Sequence, residues 1–248
     1  MSIIDETYRV AWGDLEYMKG NLIEVLLSSL IGPLLYLLAF GFGVGGSMED
    51  PASYVMYIVP GIIALTTLSA TFSTVSMKIL VQRLFYMSFD ELLLCPIHIS
   101  SIILGKTVQG MVRALISCTI LLIVGWLLSP QVVISPWIFV VIIVGSLMFS
   151  LLGLLAGMMT NKTQNLSLFS SIAIVPMTFL CGTLFDVSIL PDYVAYVIYA
   201  LPLTHVSNLM RGIMLPDYAV GLDSIVIIAI YIAVMFAICY YMIKNNKC

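Results

Sequence analysis

Charge is what this sequence has least of. Of its 248 residues only 9% are charged, 10 basic and 13 acidic, against 61% hydrophobic. Soluble domains carry about 25% charged residues, so the chain has too few polar side chains to cover a globular surface in water. A soluble enzyme, a nucleic-acid-binding protein and a disordered protein are thereby excluded. The net charge of −3 says nothing about partners, because placement matters more than the sum. Cysteine is sparse as well: the five thiols, at 95, 118, 181, 239 and 248, form no C-x-x-C pair and no group with His98 or His205. Metal-site spacing is absent, and the thiols read as small apolar side chains inside helices. No cleavable signal peptide is expected either. The first charges, Asp5 and Glu6, are acidic, and no short apolar core leads to a small-residue cleavage site.

What the chain does have is long apolar runs. Six stand out, at 22–44, 54–77, 108–128, 137–159, 165–184 and 224–243. About 20 apolar residues cross a bilayer, so the expected fold is an all-α integral membrane protein with six transmembrane helices and one transmembrane domain over 1–248. Ahead of them, residues 3–19 place Ile4, Tyr8, Ala11, Trp12, Leu15 and Met18 at spacings of three and four. Asp5, Glu6, Arg9, Asp14, Glu16 and Lys19 lie opposite, which predicts an amphipathic interfacial helix ended at Gly20-Asn21.

The basic residues set the orientation. With the N-terminus in the cytoplasm, Arg9, Lys19, Lys78, Arg83, Lys106, Arg113, Lys162, Lys244 and Lys247 fall inside or at the inner boundary, and only Arg211 falls outside. Both termini are then cytoplasmic. The outer loops carry Glu49, Asp50, Asp186, Asp192, Asp217 and Asp223.

Two connections are longer than turns. The inner one, 78–107, holds SFDELLLCP, where Ser88 and Glu91 have the spacing of a capping box. A short helix over 88–96, stopped by Pro96, is expected. Phe89, Leu92 and Leu93 beside Asp90 and Glu91 give it an apolar surface outside the bilayer, which needs lipid or a protein partner. The outer connection, 185–223, is mostly apolar but broken at Pro191, Pro202 and Pro216. Its pieces are too short to cross and predict re-entrant outer helices buried in protein.

Motifs that resemble catalytic signatures fail on context. Gly41, Gly43 and Gly46 spell G-x-G-x-x-G but close a membrane helix rather than follow a strand, so close packing is the better reading. Gly105-Lys106-Thr107 resembles the end of a phosphate-binding loop, yet position 100, where the first glycine belongs, is Ser100. The chain is not expected to bind ATP. His98 and His205 fall on opposite sides of the membrane and cannot share a site. The spans have no charge at mid-membrane depth. Glu24 and Arg113 are expected within a turn or two of the inner boundary, where long side chains snorkel. That argues against a self-powered ion-coupled transporter. Neutral polar residues take the place of charge: Thr66, Ser69 and Ser73 lie within a hydroxyl-rich stretch of the second run, and Ser167, Ser171 and Thr178 in the fifth, with Pro176 as a kink. Interhelical hydrogen bonding and the wall of a path for an amphipathic solute are both open readings of these groups.

The combination resembles the ABC-2 type permeases, the membrane subunits of ABC exporters with the type V, ABCG-like fold. The segments that carry it are FGFGVG ending the first run, YIVPGIIALT in the second and FDELLLCPIHISSIILGK after it. FLCGTLFDVSILP and YALPLTHVSNLMRGIML complete the pattern, and these two resemble the subgroup of nodulation-factor and drug exporters. Asp186 departs from it, where a proline or an apolar residue is expected. The resemblance implies a homodimer in the plasma or inner membrane, paired with two copies of a separate ABC ATPase that binds ATP and Mg. This chain would hold no cofactor, no metal and no catalytic residue. Ser88, Phe89, Asp90, Glu91, Leu92, Leu93 and Pro96 would form the coupling helix in a cleft of that ATPase. Thr66, Ser69, Ser73, Ser167, Ser171 and Thr178 would line the substrate path. Phe179, Leu180, Phe185, His205 and Arg211 would form an outer gate, and the substrate would be a drug, lipid or saccharide conjugate. An anchoring subunit that moves nothing is the competing reading. So is a self-powered transporter, which would work without ATP.

Overall fold

The computed structural model describes residues 2–44, 51–128, 134–183, 192–215, 218 and 221–245. Phe185, Asp186, Pro191, Pro216 and Asp217 lie outside the described residues, as do Gly46, Glu49 and Asp50. Every regular element among the described residues is helical. Helix α1 (Ile3–Gly20) leads into α2 (Leu22–Leu38), which loosens into a π-helical stretch at Ala39–Val44. Then come α3 (Pro51–Leu84), the short α4 (Ser88–Leu94), α5 (Ile99–Leu128) and α6 (Pro136–Met159). Next are α7 (Thr163–Phe169), a second π-helical stretch at Ser170–Ile174, α8 (Val175–Leu180), α9 (Asp192–Tyr199), α10 (Pro202–Met214) and α11 (Leu222–Asn245).

Five of these helices are long and apolar enough to cross a membrane: Leu22–Gly41, Tyr54–Leu84, Ile99–Leu128, Pro136–Met159 and Asp223–Asn245. The expected fifth run is helical from 163 to 180 but broken in the middle. Pro176 has no N–H to give the preceding turn, and the wider π geometry at Ser170–Ile174 accommodates the loss. Helices α9 and α10, of 8 and 13 residues, are too short to cross.

The expected boundary at residue 77 is exceeded by about two turns, because α3 continues to Leu84. The extension is held by packing: Ile79 and Leu80 are buried, and Arg83 Nη1 donates to the carbonyls of Gly157 and Met158 at the end of α6. Helix α5 likewise starts at Ile99 rather than 108, so the inner connection is confined to residues 85–98.

Helix α3 is the axis of the bundle, with α6, α5, α10 and α2 against it. Its closest neighbour is α6, where a Cβ at Gly157 would fall 2.6 Å from the Ser76 carbonyl oxygen and one at Gly153 3.0 Å from that of Phe72. Small residues let these backbones meet without side chains between them. The buried hydroxyls of α3 do not bridge to other helices by oxygen. Thr66, Thr67 and Thr71 donate back to the carbonyls of Ile62, Ile63 and Thr67 at 2.7–2.9 Å, which satisfies them locally.

Helix α1 docks with a different face from the one its hydrophobic pattern predicts. Its buried residues are Glu6, Ala11, Asp14 and Met18, while Ile4, Tyr8 and Trp12 are exposed along one stripe. The two acids decide the docking. Asp14 meets Lys78 Nζ on α3 at 3.0 Å and Lys106 Nζ on α5 at 3.2 Å. Lys78 also donates to Gln109 Oε1 at 2.8 Å and lies over the Tyr17 ring. Glu6 accepts from the backbone N–H of His98 at 3.0 Å and from Ser101 Oγ at 3.0 Å, with the His98 ring alongside. A carboxylate from α1 thus caps the start of α5, where the helix dipole favours negative charge. These bonds hold the Glu6 carboxyl at about 2, well below its ordinary 4.5, with the His98 N–H as the largest cause and the His98 ring next.

Candidate functional site

Three places hold most of the residues singled out by the sequence: helix α4, a cleft beside α3, and the turn after α8 with the helix α10 packed on it. In α4 the capping-box expectation is corrected. Ser88 is the first helical residue, and the cap position is Met87, with no side-chain cap bond. Met87 sits at φ 54, in the left-handed region that favours glycine, so the chain turns sharply between α3 and α4. That turn rolls α4 so that Phe89 is buried at 2% exposure against Val75, Ile79, Ile102 and Ile103. Leu92 and Leu93 are half-buried against the same cluster. Asp90, Glu91 and Pro96 are exposed, and Ser88 is half-buried. The apolar surface is supplied by residues the pattern did not single out: Leu94 is 87% exposed, with Phe85, Tyr86 and Met87 exposed before it. The helix ends at Leu94, two residues before Pro96.

The cleft lies between α2, α3, α5 and α8, with a volume of about 380 Å³. It brings together Ser69 and Ser73 from α3 with Thr178 and Phe179 from α8. Ser69 and Ser73 are four residues apart and exposed, on the opposite side of α3 from Thr67 and Thr71. Thr66 is buried outside the cleft. Ser167 and Ser171 are exposed elsewhere on the 163–180 segment. Leu180 lines a second, almost wholly apolar cavity of about 350 Å³, on the side of that segment facing α6, α10 and α11.

Four cleft residues were missed by sequence reasoning: Ser28, Ser29 and Tyr36 on α2, and Arg113 on α5. Arg113 lies midway along the 30-residue α5 and does not run toward the helix end. Its guanidinium reaches sideways, Nε to Ser29 Oγ at 2.6 Å, Nη1 to Thr74 Oγ1 at 2.6 Å, and Nη2 to Ser28 Oγ at 2.7 Å and the Val25 carbonyl at 3.2 Å. A lone arginine in an apolar run facing a Ser-Ser pair in the first span was the available signal.

At the turn after α8, Arg211 is 2% exposed. Its Nη2 donates to the carbonyls of Gly182 at 2.6 Å and Thr183 at 3.1 Å, and its guanidinium lies 4.0 Å from the Tyr57 ring centre. Gly182 is left-handed at φ 63, and Gly61 must be glycine because a Cβ there would fall 1.9 Å from the Thr183 carbonyl oxygen. His205 is buried, with Nε2 against the Tyr199 carbonyl at 2.8 Å and Nδ1 3.3 Å from Ser224 Oγ. Both residues fasten α10 in place, one to the 182–183 turn and the other to the ends of α9 and α11.

A bundle of long apolar helices around a hydroxyl-lined cleft of solute size defines a multi-pass membrane protein with the parts of a permease. The chain belongs to the ABC-2 type transporter family, whose pattern matches residues 6–215. It is similar to the inner membrane transport permease YadH of Escherichia coli (strain K12), 24% identical over 230 residues that cover 91% of this chain and 89% of that protein. It is also similar to Nodulation protein J of Bradyrhizobium diazoefficiens, 28% identical over 208 residues and 77% and 76% of the two chains. Nodulation protein J of Rhizobium meliloti is 27% identical over 214 residues, 82% and 80%.

Proposed function

We propose that this chain is the membrane half of an ATP-driven exporter of amphipathic molecules, working as a homodimer with two copies of a separate ATPase that binds ATP and Mg. Helix α4 carries the reading. It projects between the ends of α3 and α5, rooted by Phe89 in the core, and it offers Leu94 with Phe85, Tyr86 and Met87 to the outside. An apolar patch of this kind, at the end of the bundle where the lysines gather, calls for a protein partner. The sequence holds no phosphate-binding loop, so energy has to arrive through such a contact. Family membership supports the same partner.

In this reading the broken 163–180 segment is the sixth span, both termini are cytoplasmic, and α9 and α10 are re-entrant at the outer face. Ser69, Ser73 and Thr178 line the path. Substrate leaves past Phe179, Leu180 and Phe185, beside the turn that Arg211 braces and the helix α10 that His205 fastens. Names carried by the relatives, an inner membrane transport permease among them, support a place in the plasma or inner membrane. A drug, a lipid or a saccharide conjugate fits a cleft of this lining.

The test is gentle extraction of a tagged copy and identification of what accompanies it. The expected companion is a stoichiometric ATPase that Leu94→Asp removes without changing membrane insertion. Leu92→Asp, by contrast, should lower the amount of folded protein, because Leu92 packs on the core. If Leu94→Asp retains the full complement of ATPase, α4 is not the contact.

A further inference from the structure

Deepening that reading, and resting on it, we infer that the cleft recognises an anionic head group, with Arg113 as the residue that binds it. The four acceptors around Arg113 are neutral. Three of them are hydroxyl oxygens, and each of those hydroxyls spends its own hydrogen on a helix carbonyl: Ser28 and Ser29 on Val25, Thr74 on Ala70. They can therefore accept from the guanidinium, but they carry no charge to cancel its own. A guanidinium has five N–H donors, and four have protein acceptors, which leaves one on Nη1 without one. No carboxylate pairs with Arg113 among the described residues. Glu24, the one acid on α2, is exposed a turn before Ser28 and forms no ion pair with it.

An arginine at mid-helix in a membrane protein is costly unless something answers its charge. Arg211 shows the closed solution, buried against carbonyls and a tyrosine ring. Arg113 is half-exposed and lines a cavity of about 380 Å³ in which it is the sole charged residue. The rest of the lining completes the specificity. Ser69 and Ser73 offer hydroxyls to polar parts of a ligand, while Tyr36, Ile62, Leu65 and Phe179 offer apolar surface to a chain or ring. The chemistry that fits is a phosphate, sulfate or carboxylate on an amphipathic body.

The test measures binding to the full chain, as extracted with its partners and placed in phosphatidylcholine nanodiscs, without nucleotide. The probes are decyl phosphate, decyl maltoside and inorganic phosphate. Wild type should bind decyl phosphate and neither of the others at the same concentration. Arg113→Gln should weaken decyl phosphate by about tenfold or more, the range expected for a charge-assisted bond, and Arg113→Lys should retain part of the binding. Ser73→Phe, which fills the cleft from α3 without touching the Arg113 bonds, should weaken it at unchanged thermal stability. Glu24→Gln should leave it equal or tighter. Equal binding of decyl maltoside, an unchanged affinity in Arg113→Gln or Ser73→Phe, or a loss in Glu24→Gln would each overturn the inference. Repeating the titration in phosphatidylglycerol nanodiscs separates the sources. Competition by the lipid assigns the head group to the bilayer, and undiminished binding assigns it to an acidic solute; the site stands in both cases. Because no nucleotide is used, a chain that couples to its ATPase yet ignores decyl phosphate fails only this inference. A chain that binds decyl phosphate but recruits no ATPase fails only the exporter reading.

Discussion

Two turns of α5 separate Lys106 from Arg113, and the surroundings of the two cations differ in what answers their charge. Lys106 is buried and Lys78 half-buried around the Asp14 carboxylate. Arg113, roughly 10 Å further along at 1.5 Å per residue, meets only neutral oxygens and opens on a cleft. The first arrangement is a joint between α1, α3 and α5, complete within the chain. The second leaves a charge for something else to complete. One helix thus carries a fastening and a binding group, and the acid supplied or withheld by its neighbours decides which is which.

The largest effect is expected from breaking the joint. Asp14→Ala leaves the buried Lys106 ammonium without its carboxylate, and the half-buried Lys78 with only Gln109 and the Tyr17 ring. Removal of one partner from a buried ion pair costs about 3–5 kcal/mol. The thermal midpoint in detergent should drop sharply. Adding Lys106→Met to that variant should recover part of the loss, since one orphaned charge is then gone. Arg113→Gln should cost far less, about 1 kcal/mol, because a glutamine keeps a donor for the same hydroxyls and no carboxylate is stranded. Similar losses in Asp14→Ala and Arg113→Gln would erase the contrast between the two centres.

How much of this was legible in the sequence depends on what a residue's neighbours had to be. The membrane class and the positions of α2, α3, α6 and α11 followed from hydrophobic run length, a local property. The short α4 is where the capping-box spacing and Pro96 put a helix, although its cap is Met87 and no side chain caps it. The burial of Asp14 and Glu6 did not. By pattern they belong to the polar face of an amphipathic helix, and only Lys78, Lys106, His98 and Ser101, about 64 to 95 positions away in the chain, turn them inward. Thr66, Ser69 and Ser73 belong to one hydroxyl-rich stretch and, at i, i+3 and i+7, to one side of α3; Ser69 and Ser73 line the cleft, whereas Thr66 is buried and does not. Leu94 was overlooked because the roll of α4 is set by the left-handed Met87, which no hydrophobic period encodes. Helix α5 starts nine residues earlier than the apolar run, so Arg113 falls midway along the helix.

A second, smaller break removes contact and leaves every charge in place. Gly105 lies one residue before Lys106 and touches α1: a Cβ there would fall 2.6 Å from Val10 Cγ1 and 3.1 Å from the Thr7 carbonyl oxygen. Gly105→Ala should push α1 off α5 and cost about 1–3 kcal/mol, the usual range for overpacking. If the joint is held by charge more than by fit, the loss stays below that of Asp14→Ala, and the two variants combine to less than their sum because they disturb one contact. Decyl phosphate binding at Arg113 should persist in Gly105→Ala, since the cleft is lined by other faces. Parallel loss of both properties would mean that the joint and the cleft are one unit.

The smallest effect concerns pH and sharpens the comparison at the other end of α1. Glu6 is held at about 2 from an ordinary 4.5, first by the His98 N–H and then by the His98 ring and Ser101. A carboxyl with a depressed folded-state value stabilises only while it is ionised. Its contribution is therefore complete above about pH 4.5, where the unfolded chain is also ionised. It declines as pH falls from 4.5 toward about 2. The observable is the gap in thermal midpoint between wild type and Glu6→Gln, which should be constant from neutral pH down to about 4.5 and close as pH approaches 2. Asp14→Ala should keep its larger deficit across the upper part of that range, because the loss there comes from stranded lysines. If the Glu6→Gln gap already closes above pH 5, another group carries the attachment of α1 to the start of α5, and the cap that one helix lends the other is not made by Glu6.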